Sequence, residues 1–202
     1  KELADAEGFP GGFSAIYPVL RALEDSGQLV RGHFVEGVAA LQYTSTAALD
    51  LLRAEDRNEA EPVPITLAAT DPANPYGTQL PWPESAFTND TLSEARADKP
   101  RRVVGAQAVT IAGHARAYLP RGLDGARTFL PTEEPMRSRH ARLLADELLR
   151  QAQEARARGA FAELTTLDGA PAKEHPLAPL LLAAGMVARG TSLTLRREPR
   201  RS

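Results

Sequence analysis

The residues best suited to chemistry lie in Ala69-Thr70-Asp71-Pro72-Ala73-Asn74-Pro75-Tyr76-Gly77, followed by Leu80-Pro81-Trp82-Pro83. Proline fixes φ and removes a backbone donor, so the dense prolines exclude regular structure from Pro72 to Pro83 and stiffen the loop. Asp71 and Asn74 bring polar groups to that frame, and Tyr76 and Trp82 bring flat faces. One chemistry that fits is base excision. Asp71 is then the catalytic carboxylate, orienting water or stabilising a developing sugar cation, while Tyr76 or Trp82 stacks a flipped base. The same residues have a structural reading: Asp71 and Asn74 bond nearby amides as turn formers, and the two rings pack in a core.

A second group could meet phosphate. Arg137, Arg139, His140, Arg142, Arg150, Arg156 and Arg158 make the segment 137–158 basic, and Arg139, Arg142 and Arg150 are its candidate nucleic-acid contacts. Asp146, Glu147 and Glu154 interrupt the run and can pair with arginines one turn away, so a solvated face is the alternative. Arg31 and His33, in a short extended run near the start of the chain, are further candidate contacts.

Other chemistry has no support. Cysteine is absent, which excludes disulfides, thiolate metal sites and a cysteine nucleophile. No G-x-x-x-x-G-K-[ST] occurs, so no ATPase site is expected in this piece. The four histidines, His33, His114, His140 and His175, share no metal-ligand spacing. No cofactor is therefore assigned to these residues.

The whole chain bounds these readings. It has 202 residues with a formal net charge of −2. Its 21 Arg against 3 Lys, with abundant Ala, reflect coding bias and weaken arginine as a sign of phosphate binding. Residues 1–62 carry −6, residues 63–132 carry +1 and residues 133–202 carry +3. An acidic N-terminal third repels nucleic acid and suits a basic partner. No apolar run approaches a membrane span; a cytoplasmic location is expected. The chain starts at Lys1, and we read it as a piece of something longer.

Periodicity places the elements. Phe13, Ile16, Tyr17, Leu20 and Leu23 form one helical face, with Ser14 as the expected N-cap and Gly27 past the end. Leu29–Phe34 and Val38–Thr44 read as a hairpin, and Thr46 as the cap of a helix over Ala47–Arg53. Helix, turn and hairpin in that order suggest a winged helix, or simply a generic helix–hairpin pair. Residues 54–62 read as a charged linker, with a boundary near 58–62. Beyond it, Ile65–Ala69, Val103–Ile111, Ala115–Leu119 and Arg127–Leu130 read as an antiparallel meander, with a turn at Gly113-His114. A helix over 138–158 carries Ala141, Leu144, Leu148, Ala152 and Ala155 on one stripe. Phe161–Leu167 reads as a strand, Leu177–Ala184 as a helix stopped by Gly185, and Thr191–Arg196 as a last strand.

Several blocks resemble a known family. They are Gly11-Gly12-Phe13-Ser14-Ala15-Ile16-Tyr17-Pro18-Val19-Leu20-Arg21-Ala22-Leu23-Glu24, Gly32-His33-Phe34-Val35-Glu36-Gly37, Leu41-Gln42-Tyr43, Ala68 to Gly77, Leu181-Leu182-Ala183-Ala184-Gly185-Met186 and Arg189-Gly190-Thr191-Ser192-Leu193. They resemble the C-terminal region of long Lhr (large helicase-related) proteins, superfamily 2 DEAD/DEAH-type ATP-dependent DNA helicases. The resemblance implies an α+β fold, a winged-helix remnant followed by an antiparallel β-barrel-like module with flanking helices. Residues 1–57 would be a winged helix whose first helix lies upstream, and residues 63–202 the barrel module with helices 138–158 and 177–184. ATP and Mg would belong to the parent's motor. The expected partners are DNA, in single-stranded form, and the rest of the same helicase chain, with homo-oligomers also possible and no membrane. Three functions follow: an accessory, architectural DNA-associating domain of a repair helicase, a DNA glycosylase domain acting on uracil or other damaged bases, and an oligomerisation or docking module. The paired-glutamine signature of the similar winged-helix glycosylases has no counterpart, since Gln42 stands alone.

Overall fold

The computed structural model describes residues 7–35, 41–56, 61–87 and 99–196. The chain divides into two compact units, residues 1–61 with 78–81, and residues 62–77 with 82–202.

In the first unit, helix α1 (Gly12–Asp25) leads into strand β1 (Leu29–Gly32), strand β2 (Gln42–Ser45) and helix α2 (Thr46–Asp56). The apolar stripe of α1 is its half-buried face: Phe13, Ile16, Tyr17, Leu20 and Leu23 are all partly covered, while Ala15, Arg21 and Asp25 are exposed. Ser14 does not cap it. Gly11 takes φ +80, a Gly12 N–H to Phe9 carbonyl bond of 2.8 Å closes the preceding turn, and the helix starts two residues before Ser14 could act. Pro18 lies inside the helix. At the other end Gly27, at φ +76, and Gln28 return amides to the Glu24 and Leu23 carbonyls, the expected glycine stop.

The hairpin pairs Leu29 with Ser45 through to Gly32 with Gln42. It is shorter than expected because the Gln42 side chain takes over from the ladder. Its Oε1 accepts the Phe34 and Val35 amides at 2.8 Å each, and its Nε2 donates to the Val35 carbonyl. The expected strand residues Val38, Ala39 and Ala40 lie outside the described residues. Ser45, not Thr46, caps α2, its hydroxyl accepting the Ala48 amide at 3.1 Å.

The second unit begins with β3 (Pro64–Ala68), β4 (Gln107–Ile111), β5 (His114–Leu119) and β6 (Arg127–Thr128), an antiparallel sheet in that order. β4 starts four residues later than expected, because an Ala106 N–H to Val103 carbonyl turn and Gly105 at φ +90 precede it. The β4–β5 turn sits on Ala112 and Gly113, both with positive φ, so His114 opens β5 instead of making the turn. β5 carries a bulge. Val109 faces Ala117 and Thr110 faces Ala115, leaving Arg116 without an opposite residue.

Helix α3 (Met136–Ala157) packs on β3, β5 and a short helix α4 (Ala178–Ala184). The stripe Ala141, Leu144, Leu148, Ala152 and Ala155 is buried throughout, as the 3.6-residue spacing requires. The core joins that stripe to Val109, Ile111, Leu119, Leu164, Leu167, Leu181 and Leu193. The expected strand 161–167 is two strands, β7 (Glu163–Leu164) and β8 (Thr166–Leu167). The break falls at Thr165, where the Asp124 carboxylate accepts the Thr165 and Thr166 amides at 3.2 and 3.1 Å. β8 turns through Asp168 and Gly169 into β9 (Ala170–Pro171). β10 (Met186–Arg189), not expected from sequence, pairs with β11 (Ser192–Leu195), which also pairs with β7.

The described strands do not close into a barrel. They form separate sheets of four, three, two and two strands. The four-stranded sheet stops at β6 because a side chain occupies its edge: Asp168 accepts the Thr128 amide and hydroxyl, and only one bridge, Ala126 to Leu167, continues beyond.

Candidate functional site

Asp71 opens a turn. Its Oδ1 accepts the Ala73 amide at 2.8 Å, its own amide donates to the Ala68 carbonyl, and its carbonyl accepts the Asn74 amide. Asn74 is fully buried and ties the loop together: Nδ2 donates to the Ala69 carbonyl at 2.9 Å and Oδ1 accepts the Tyr76 amide at 3.2 Å. Arg102 reaches in from outside and donates to the Asn74, Tyr76 and Asp71 carbonyls. The polar groups of Asp71 and Asn74 thus bond to nearby backbone, as the turn-forming reading expects, while Trp82 Nε1 is buried without a hydrogen-bond partner.

The loop presents its aromatic side to β5. Tyr76 stacks on Trp82 at 5.7 Å between centroids, and Trp82 meets Tyr118 edge-on at 5.2 Å and Phe129 at 6.3 Å. Tyr76 is buried, and its hydroxyl accepts the Ala115 amide and donates to the Gly113 carbonyl, pinning the β4–β5 turn. Gly77 is fixed by this packing: with φ +83, a Cβ there would sit 2.7 Å from Trp82 Nε1. The structure therefore brings Tyr76 and Trp82 together, but packs them on protein rings.

Behind this layer lies a group that sequence reasoning missed. Arg116, the bulge residue, is 9% exposed. One of its amino groups donates to the Phe129 carbonyl at 3.2 Å, while its Nε is buried with no partner. Burial lowers the proton affinity of its guanidinium. His140, in the first turns of α3, is 4% exposed, and its Nδ1 is also buried and unpartnered. Burial first, and then the charges of Arg116, Arg139 and His114, push its imidazole below the usual histidine range. The available signal in the sequence was an arginine inside the apolar run Ala115-Arg116-Ala117-Tyr118-Leu119.

The candidate arginines separate. Arg139 and Arg142 are exposed on α3 and line one cavity of about 460 Å³ with Glu134, Ser138 and Leu143. Arg142 also lines an adjoining cavity of about 370 Å³ with Arg137, Phe87, Leu130 and Leu180. Arg137 bonds Glu134, which also holds Ser138; these bonds keep the Glu134 carboxyl below its usual range, with Ser138 the largest contributor. Arg150 does not join this groove. It pairs with Glu147, which is buried, at 2.6 Å and with Glu154, which is exposed. In the first unit Arg31 pairs with Glu24 at 3.1 Å, and His33 is exposed. Asp71, Tyr76 and Trp82 are grouped by their loop, and Arg139 and Arg142 by their helix.

Among the described residues no group of three or more His, Asp or Glu could hold a metal, and no helix is long and apolar enough to cross a membrane. The sequence contains no G-x-x-x-x-G-K-[ST] phosphate loop.

Comparison with known proteins agrees with this architecture. Residues 1–64 match a family model described as "Large helicase-related protein, winged-helix domain". The chain is 38% identical over 126 residues to "Lhr helicase/ probable uracil glycosylase" of Mycolicibacterium smegmatis, covering 60% of the chain and 8% of that protein. It is 32% identical over 183 residues to "Lhr helicase/uracil glycosylase" of Escherichia coli, covering 89% of the chain and 11% of that protein. The chain thus spans about a tenth of the length of these relatives. With the winged-helix match at its start and the second similarity running through both units, the chain belongs to the Lhr, or large helicase-related, family.

Proposed function

We propose that this region is a DNA-associating, architectural accessory part of a helicase, whose ATP chemistry is performed by other parts of the parent protein. On this reading residues 1–57 act as a winged helix and residues 63–202 as a second domain, both working with the rest of the same chain. The observation that carries it is the groove beside the start of α3, where exposed Arg142 lines two adjoining cavities and Arg139 one of them, with Leu130, Leu143 and Leu180 among the apolar walls and Glu134 in both. Cations beside apolar surface suit a nucleic-acid strand, whose phosphates need neutralising and whose bases need cover. Single-stranded DNA is the preferred form on this reading.

The test is fluorescence anisotropy of labelled single- and double-stranded DNA with the full chain at several salt concentrations. Replacing both Arg139 and Arg142 with Gln should weaken binding and reduce the salt slope by about 1.4 to 1.8 in log units, from ~0.7–0.9 per phosphate contact. An unchanged slope in the double variant rejects the groove, and equal affinity for both forms of DNA rejects the single-strand preference.

A further inference from the structure

The groove at the start of α3 holds more than cations. Its cavity of about 370 Å³ is walled by Phe87, Leu130, Leu177 and Leu180, and it contains one carboxylate, Glu134. Phosphate recognition alone calls for neither an aromatic ring nor an acid. Small-molecule sites run from about 300 to 1,000 Å³, so this cavity is sized for one ring system rather than an extended ligand.

The ring wall is Phe87, which is half-buried. It meets the buried His175 ring at 5.4 Å between centroids with the planes 74° apart, and among the described residues no ring stacks on it. Leu130 and Leu177 belong to the buried core, so the apolar walls are held in place.

The polar edge is Glu134. Its Oε1 accepts from Arg137 and from the Ser138 hydroxyl, whereas its Oε2 accepts the Ser138 amide at 3.1 Å. A carboxylate offers about four acceptor positions, two on each oxygen, so Oε2 keeps one for a ligand. Bonds from Ser138, and then from Arg137, hold the carboxyl below its usual range, so at neutral pH it is ionised and only accepts. Glu134, Ser138 and exposed Arg142 line both this cavity and the adjoining one. Among the described residues Arg142 is in no ion pair.

An unpaired nucleobase asks for the same three things: a ring face to stack on, a partner for its edge and a cation for its flanking phosphate. We propose that this cavity receives one unpaired nucleobase against Phe87, and that Glu134 selects bases bearing an exocyclic amino group over thymine and uracil. The proposal rests on the DNA-associating reading above and names what that groove prefers to hold. The N4 amino group of cytosine donates to Glu134 Oε2, and Arg142 meets the flanking phosphate. Thymine and uracil carry a carbonyl oxygen in place of that amino group, which a carboxylate repels.

The experiment is fluorescence anisotropy of the full chain with labelled oligo-dC, oligo-dT and oligo-dU of about twelve nucleotides, at several salt concentrations. Oligo-dC should bind about fivefold or more tighter than the other two. Glu134→Gln keeps an acceptor and adds a donor, so the ratio should fall below about twofold. A charge effect alone would strengthen all three equally and leave the ratio unchanged. Phe87→Leu keeps the apolar volume without the flat face; it should weaken all three by about threefold or more with the salt slope unchanged. Phe87→Tyr keeps the face and should bind as the parent does.

Equal affinities in the parent, or a ratio that survives in Glu134→Gln, overturn the selection. Unchanged affinity in Phe87→Leu, or an equal loss in Phe87→Tyr, overturns the base pocket. Failure of the DNA reading appears separately, as the absence of salt-dependent binding of any oligomer to the parent.

Discussion

Asp71 and Asn74 show how two residues that look alike in sequence part company in the fold. The Asp71 carboxylate lies partly exposed and accepts one amide, so Asp71→Asn preserves the acceptor and the turn. If base release from uracil-containing DNA is detectable for the full chain, Asp71→Asn should leave its rate unchanged; a loss of tenfold or more would restore a catalytic role to this carboxylate. Asn74, buried and bonded at both ends of its amide, has no replacement. Asn74→Ala leaves the Ala69 carbonyl and Tyr76 amide unsatisfied, which costs about 2–3 kcal/mol and is measurable by urea unfolding. Asp168 is a stronger case. It is buried at φ +51, accepts from Thr128 and from the His175 ring at 3.0 Å, and forms an ion pair with the Arg127 guanidinium at 3.6 Å. Asp168→Ala should destabilise by about 3–5 kcal/mol, because Arg127 loses its counter-charge and the sheet edge its acceptor. The sequence reading ends a strand at Leu167, and the Asp168-Gly169 that follows is a turn-favouring pair. It could not see that the turn folds a carboxylate back onto an edge forty residues earlier.

At the scale of elements, legibility followed local periodicity. The α3 stripe and the α1 face could be read because an amphipathic helix repeats its burial every three to four residues. β5 defeated that logic. Five of its six residues are buried, so alternation disappears, and its bulge depends on the partner strand rather than on its own sequence. The place where α3 meets β3 was equally hidden. Glu147 looked like one acid of a solvated face, yet it is buried and accepts from the Thr66 hydroxyl, Gln151 and Arg150. Burial pushes its carboxyl upward, but the bonds from Arg150, Gln151 and Thr66 outweigh it and hold the group below the usual carboxylate range. A depressed folded-state pKa means that this stabilisation is complete above the unfolded value of about 4.3 and is lost as pH falls through the folded value. Unfolding free energy should therefore drop on acidification below about pH 4.3. Glu147→Gln should lower stability at neutral pH and flatten that acid dependence. An identical acid slope in parent and variant would show that other carboxylates carry it.

At the scale of the molecule, charge is divided between parts with different capacities to meet DNA. The net −2 conceals −6 in residues 1–62 and +3 in residues 133–202. In the first unit the α1 surface offers Arg21 beside Asp25, while Arg31 on the hairpin is neutralised by Glu24. A winged helix with that surface is a poor receiver of phosphates through α1, whatever its family, because each cation has an acid at hand. In the second unit α3 carries exposed Arg139 and Arg142. The family and the long helices were readable from sequence, since long blocks and helix periodicity specify them, whereas the expected barrel was not what the strands form. The placing of binding capacity was not readable, because it depends on which arginines find carboxylates, and that is settled only by packing. Arg150, a candidate contact in the sequence, is tied to Glu147 and Glu154. The consequence is directional. Arg21→Glu on α1 should change DNA affinity by less than twofold at about 0.1 M salt, where charges beyond ~10 Å are screened. Arg142→Glu, on the groove of the second unit, should weaken it by about tenfold or more at the same salt, through a lost contact and added repulsion. Anisotropy titrations of the two reversals side by side decide the matter. The opposite order would move the DNA contact to the winged helix and leave the basic face of α3 as a solvated surface.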